Sequence, residues 1–165
     1  MSLVPVYRAP MRSRHDDIPE FAAVARALER QVVGVGGCLE SVPGSLAEAV
    51  VAVADQHDER LARRLDRFAS APDDAFVWTK DSEGRLWLGR LAGPWYYDSS
   101  PEAHEIDLVH VRRCHWMNAP VPDRLVPPAV HVTFARGGRN WQQTHDVDAS
   151  KISAILWDDA ALGES

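Results

Sequence analysis

Residues 76–91 read FVWTKDSEGRLWLGRL. Phe76 to Thr79 has the β-branched and aromatic composition of a strand, and Asp81-Ser82-Glu83-Gly84 has turn chemistry. Arg85 to Leu91 then alternates apolar and polar side chains. Two strand-like runs around a polar turn ending in glycine predict a β-hairpin. Before this hairpin the apolar period is mostly helical, and after it the period is mostly two, so the fold is expected to change character near Pro72.

On the N-terminal side, Val4 to Tyr7 reads as a short strand, and Pro5 and Pro10 suggest that it lies at a sheet edge. A helix is expected over 18–30, with Asp16 or Asp17 as cap, and a strand over Val32, Val33 and Val35 runs into Gly34, Gly36 and Gly37. Gly34 to Gly37 reads as a tight turn that needs positive φ, because neither a dinucleotide fingerprint nor a P-loop follows it. Ser45 with Glu48 forms a capping box, opening one long helix over 46–69. His57 falls on the apolar stripe of that helix and is expected to be buried. On the C-terminal side, strands are expected over 95–97, 106–116, 130–134 and 140–144, and a closing helix over 147–162. Together these elements predict an α+β fold: one domain over 1–165, with an α/β part at 1–70 and a small, curled, mostly antiparallel barrel at 73–146.

Composition narrows the function. Of 165 residues, 45% are hydrophobic, no apolar run spans a bilayer, and the start lacks the order of a signal peptide, so a cytoplasmic protein without a membrane is expected. Cys38 and Cys114 are too few for a disulfide scaffold. Sixteen of the eighteen basic residues are Arg, a bias that fits a GC-rich bacterial genome. The net charge of −6 disfavours a histone-like binder but leaves room for a domain that reads one base in a pocket. Serine-hydrolase, zincin and kinase signatures are missing, and the spacing of His110, Cys114 and His115 is not that of a structural zinc site. No catalytic residue, metal or cofactor is therefore expected.

The unusual feature is aromatic. Trp78, Trp87, Trp95, Tyr96, Tyr97 and Trp116 fall within 39 residues, on strands expected to be adjacent. Large core residues would look like this, and so would an aromatic pocket that stacks on a base. Val109 to Asn140 carries Arg112, Arg113, Arg124, Arg136 and Arg139 against Asp123 alone, a net +4 inside an acidic chain. A basic strip beside an aromatic pocket suits a flipped base and its phosphates.

The runs FVWTKDSEGRLWLGRLAGPWYYD, IDLVHVRRCHWM and VPDRLVPPAVHVTFARGGRNWQQTH, after VYRAP and VVGVGG, resemble PUA-like, EVE-type β-barrels. They are most similar to those attached to modification-dependent restriction systems of the McrBC and Mrr kind. The resemblance implies a reader that takes a modified, flipped base of DNA or RNA into an aromatic cage. It carries Trp78, Trp95, Tyr97 and Trp116 over as cage walls, with Arg112, Arg113, Arg136 and Arg139 on phosphates. In restriction or RNA-modification biology such a reader is then expected to work alone or with separate partners. The alternative expectation is a non-enzymatic interaction or regulatory protein, related to phage or toxin–antitoxin systems, whose aromatics are core or partner-facing.

Overall fold

The computed structural model describes residues 3–163; the first two and last two residues of the expected domain lie outside this range. Seven strands form one sheet: β1 (Val6–Arg8), β2 (Val32–Val35), β3 (Phe76–Lys80), β4 (Leu86–Leu91), β5 (Tyr96–Tyr97), β6 (His110–Trp116) and β7 (Gln142–Gln143). Their order is β2-β6-β4-β3-β1-β7, with β5 also on β6. Every pairing is antiparallel except β1 with β3. Along β6, β4 pairs with Cys114–Trp116 and β5 takes over at His110–Val111. The sheet therefore curls, and the fold is α+β as the periodicity predicts.

The β3–β4 hairpin sits where the sequence places it, with Trp78 opposite Leu88 and Thr79 opposite Trp87. Asp81 organises the turn. Its Oδ1 accepts the backbone N–H groups of Glu83 and Arg85, and its Oδ2 accepts Nε–H of Arg85 and Nε1–H of Trp87, all within 3.0 Å. β3 is covered on both faces, as expected of an interior strand. Val77 points into one core, with Leu65, Phe68, Leu91 and Trp116. Phe76 and Trp78 point into another, with Leu86, Leu88 and Val130. The helices that cover these faces are α1 (Ala22–Arg30), α2 (Leu46–Gln56), α3 (Glu59–Ser70), α4 (Pro101–Glu105), α5 (Pro128–Ala135) and α6 (Val147–Gly163).

Five expectations change. β1 is interior, not an edge: Pro5 and Pro10 flank its three residues, and the Pro5 carbonyl accepts from Phe76 N–H at 3.0 Å. The helix expected over 46–69 is two helices, because Asp58 in extended conformation caps α3 by accepting Leu61 N–H at 2.7 Å. His57, at that break, is exposed, and its Nε2–H donates to the Cys38 carbonyl at 2.7 Å. The expected strand 130–134 is helix α5, with Pro128 in its first turn where the missing N–H costs nothing. The strand expected from Ile106 begins only at His110, because α4, capped by Ser100, runs to Glu105 and Asp107 takes φ +55°.

Arg112, expected on phosphate, is 2% exposed. Its guanidinium donates to the carbonyls of Gly93, Phe68 and Ala71 at 2.7–2.9 Å and to the Asp73 carboxylate at 3.1 Å. It thus closes the C-terminal end of α3 against β6, where helix carbonyls lack intrahelical donors. Arg112→Ala should destabilise the protein by about 3–5 kcal/mol in chemical denaturation, since buried carbonyls lose their donors. Arg113→Ala, one residue away and exposed, should change stability by no more than about 0.5 kcal/mol. Equal effects would contradict this role.

Candidate nucleic-acid interface

β2 and β7 are the two ends of the strand order, so the curled sheet stays open between them. A cavity of about 430 Å³ lies at this seam. Its walls are Ala9–Arg12 leaving β1, Gly34–Gly37 of β2 and the loop after it, Arg139–Trp141 entering β7, and Leu61 and Arg64 of α3. Arg14, His15, His57, Asp107 and Leu108 complete it. The volume falls in the ~300–1,000 Å³ range of small-ligand sites.

The glycine loop forms one wall and owes its shape to Asp107. Gly37 has φ +126°, while Gly36 is required by close approach, since a Cβ there would collide with the Asp107 carboxylate. Asp107 Oδ1 accepts Gly37 N–H at 2.9 Å and the Cys38 thiol at 3.2 Å. Burial, and then the Asp107 charge, push the Cys38 thiol up to about 12, so it stays protonated and donates. It is no nucleophile at neutral pH.

His110 braces this loop from behind. Its Nε2 lies 2.9 Å from the Gly37 carbonyl, and its Nδ1 accepts Nε1–H of Trp95 at 3.2 Å. Those two partners require the neutral ring protonated on Nε2. Burial pushes its pKa down to about 4, against the opposing pull of the Gly37 carbonyl and Asp107. Tyr97 packs edge-on to His110, and its Oη accepts Leu39 N–H at 3.0 Å.

The far wall is Trp141. It stacks on Tyr7 with ring centroids 4.7 Å apart and meets Phe68 edge-on. Trp141 is 6% exposed, and its indole N–H has no hydrogen-bond partner in the protein. A buried, unmatched N–H costs roughly 1–3 kcal/mol. The segment before it is held by Arg8, which donates to the carbonyls of Thr133, Gly137 and Asn140 at 2.8–3.2 Å.

Four arginines line or rim the cavity: Arg12, Arg14, Arg64 and Arg139. Three already pair with carboxylates, Arg12 with Glu20, Arg14 with Asp58 and Arg139 with Asp16, at 2.8–3.6 Å. Arg64 lies below its ordinary pKa through burial and then the positive charge of Arg14 and Arg60. With Asp107 beside them the four cations meet four carboxylates, so a ligand phosphate would compete with Glu20, Asp58 and Asp16 for their arginines.

The four expected cage aromatics do not line this cavity. Trp78 and Trp116 are 0% and 4% exposed and belong to opposite cores, their indole N–H groups donating to Ser153 Oγ and the Val32 carbonyl. Gly89 pairs with Val77 on one side and Trp116 on the other, so Trp116 shares the face of Val77 and lies opposite Trp78, a register that the sequence alone does not show. Trp95 and Tyr97 do come together, around His110, as a brace for the glycine loop. Of the expected phosphate ligands, Arg139 lines the cavity, Arg113 and Arg136 are exposed away from it, and Arg112 is buried. Sequence reading missed Trp141, Asp107, Arg12, Arg14 and Arg64. The signal was present in Gly137-Gly138-Arg139-Asn140-Trp141, a glycine pair followed by a cation and an aromatic. Among the described residues no group of three or more His, Cys, Asp or Glu could hold a metal, and no helix is long and apolar enough to cross a membrane.

No family model matches the chain, and no curated protein matches it. Among solved structures it is similar to the YTH domain of the Zygosaccharomyces rouxii MRB1 protein, in complex with N6-methyladenosine RNA. That likeness has a TM-score of 0.41 and 12% identity, and covers 97% of this chain and 90% of that one. At that distance it carries nothing over about ligand or site.

His110 makes stability depend on pH. A histidine whose folded pKa lies below its unfolded 6.5 adds stability above that value, and the contribution is lost as pH falls toward about 4. Between pH 7 and 4.5 the parent should lose about 2 kcal/mol more than His110→Gln in urea unfolding. Parallel pH profiles would contradict the neutral, buried assignment.

Proposed function

We propose that the chain is a non-enzymatic nucleic-acid-binding module that takes one unpaired or flipped base into the seam cavity. The base lies against Trp141, and Arg12, Arg14, Arg64 and Arg139 meet the flanking phosphates. The observation that carries this reading is a cavity lined by an aromatic ring, Trp141, and rimmed by four arginines, in a chain of net charge −6. Planar aromatic walls stack on any base, hydrogen-bond donors read its edge, and guanidinium groups match phosphate. The acidic remainder of the surface weakens non-specific binding, so recognition concentrates at this mouth. The resemblance to EVE-type modules extends the reading to a modified base, and the composition extends it to work in the cytoplasm.

The test is fluorescence anisotropy with labelled single- and double-stranded oligonucleotides, with and without modified bases, across a salt series. Arg14→Ala with Arg64→Ala should weaken binding at least about tenfold at low salt and reduce the slope of log K against log salt by about 2. Arg113→Ala with Arg136→Ala, away from the cavity, should bind like the parent. If no oligonucleotide binds the parent, or if the second pair of substitutions matters and the first does not, the proposal fails.

A further inference from the structure

Resting on the nucleic-acid reading above, we propose that Asp107 is the specificity-determining residue of the cavity. Its Oδ2 accepts an N–H from the edge of the bound base, so the site prefers bases that present a donor there over those that present an alkyl group or a lone pair. The two carboxylate oxygens are not equivalent. Oδ1 is occupied by Gly37 N–H at 2.9 Å and the Cys38 thiol at 3.2 Å. Oδ2 has only the Ser13 hydroxyl at 3.4 Å, near the limit of a hydrogen bond, although a carboxylate oxygen accepts two donors.

Asp107 is 8% exposed and lines the cavity, and among the described residues no arginine or lysine pairs with it. A carboxylate this far from water needs donors to hold its charge. Gly36 packs closely against this oxygen, and a Cβ there would collide with Oδ2. The backbone at Asp107 has φ +55°, a conformation that asparagine adopts as readily as aspartate. Asp107→Asn is therefore a clean chemical change. Gly37 N–H needs an acceptor, which keeps the amide oxygen at the Oδ1 position and places NH₂ at the Oδ2 position. An acceptor facing the ligand becomes a donor in the same place.

The experiment measures affinity for one oligonucleotide carrying a single central unpaired nucleotide, in pairs that differ by loss of N–H. The pairs are uridine and 3-methyluridine, guanosine and 1-methylguanosine, cytidine and N4,N4-dimethylcytidine, and adenosine and N6,N6-dimethyladenosine. In the parent, at least one pair should differ by about tenfold or more in favour of the N–H-bearing base. Asp107→Asn should erase or invert that preference with an unchanged near-UV circular dichroism spectrum, and Gly36→Ala should erase it by covering Oδ2. If the parent binds all members of every pair within about twofold, the role of Asp107 is overturned while the reader function stands. If the preference survives both substitutions in folded protein, the role is likewise overturned. If no oligonucleotide binds, the function itself falls and this role with it.

Discussion

The guanidinium of Arg8 reaches from the interior strand β1 to three backbone carbonyls, those of Thr133, Gly137 and Asn140. Those carbonyls belong to the end of α5 and to the loop that carries Arg139 and Trp141. The bond set therefore ties one wall of the cavity to the middle of the sheet. Gly138 is part of the same constraint: its φ is +103°, and a Cβ there would come within 3.0 Å of the Arg8 guanidinium. Arg112 does the equivalent on the other side, closing the end of α3, which carries Arg64 and Leu61 into the cavity. Two arginines removed from phosphate chemistry thus position the arginines that remain available for it. A buried guanidinium suits this task because its five N–H donors satisfy several converging carbonyls at once.

Between those clamps lies the glycine loop, held by opposite chemistries. Asp107 binds it through its charge, accepting from Gly37 N–H and the Cys38 thiol, while His110 binds the Gly37 carbonyl as a neutral ring. Trp95 and Tyr97 keep His110 in place and neutral through one indole hydrogen bond and two ring contacts. The cavity wall is therefore fixed by hydrogen bonds on both faces before any ligand arrives. Such preorganisation lowers the ordering cost of binding.

Much of this fold was legible in the sequence because its signals are local. The Asp81–Gly84 turn, the Ser45 cap and the alternation over His110–Trp116 each need only neighbouring residues, and each stands in the structure. The misread elements depend on distant partners. Val130–Phe134 has strand composition but folds as helix under Pro128, with Arg8 binding its far end from 125 residues away. His57 has the right spacing for a buried helix face, yet Asp58 ends the stripe by capping a new helix. The site suffered most. Tryptophans clustered in sequence divide between two cores, while the one that faces the cavity stands 25 residues beyond the cluster, and no local pattern pairs Trp141 with Asp107 or Arg64.

The unmatched indole of Trp141 gives the account its most direct test. In ¹H–¹⁵N correlation spectra the six tryptophans give resolvable indole N–H resonances, and Trp141→Phe assigns one of them. On titration with an oligonucleotide that binds, the Trp141 indole proton should shift as a base enters the cavity that its ring lines. Those of Trp78 and Trp116, already donating to Ser153 and Val32, should stay in place. Movement of the Trp78 or Trp116 signals with a stationary Trp141 signal would contradict the placement of the binding site at the seam of the sheet.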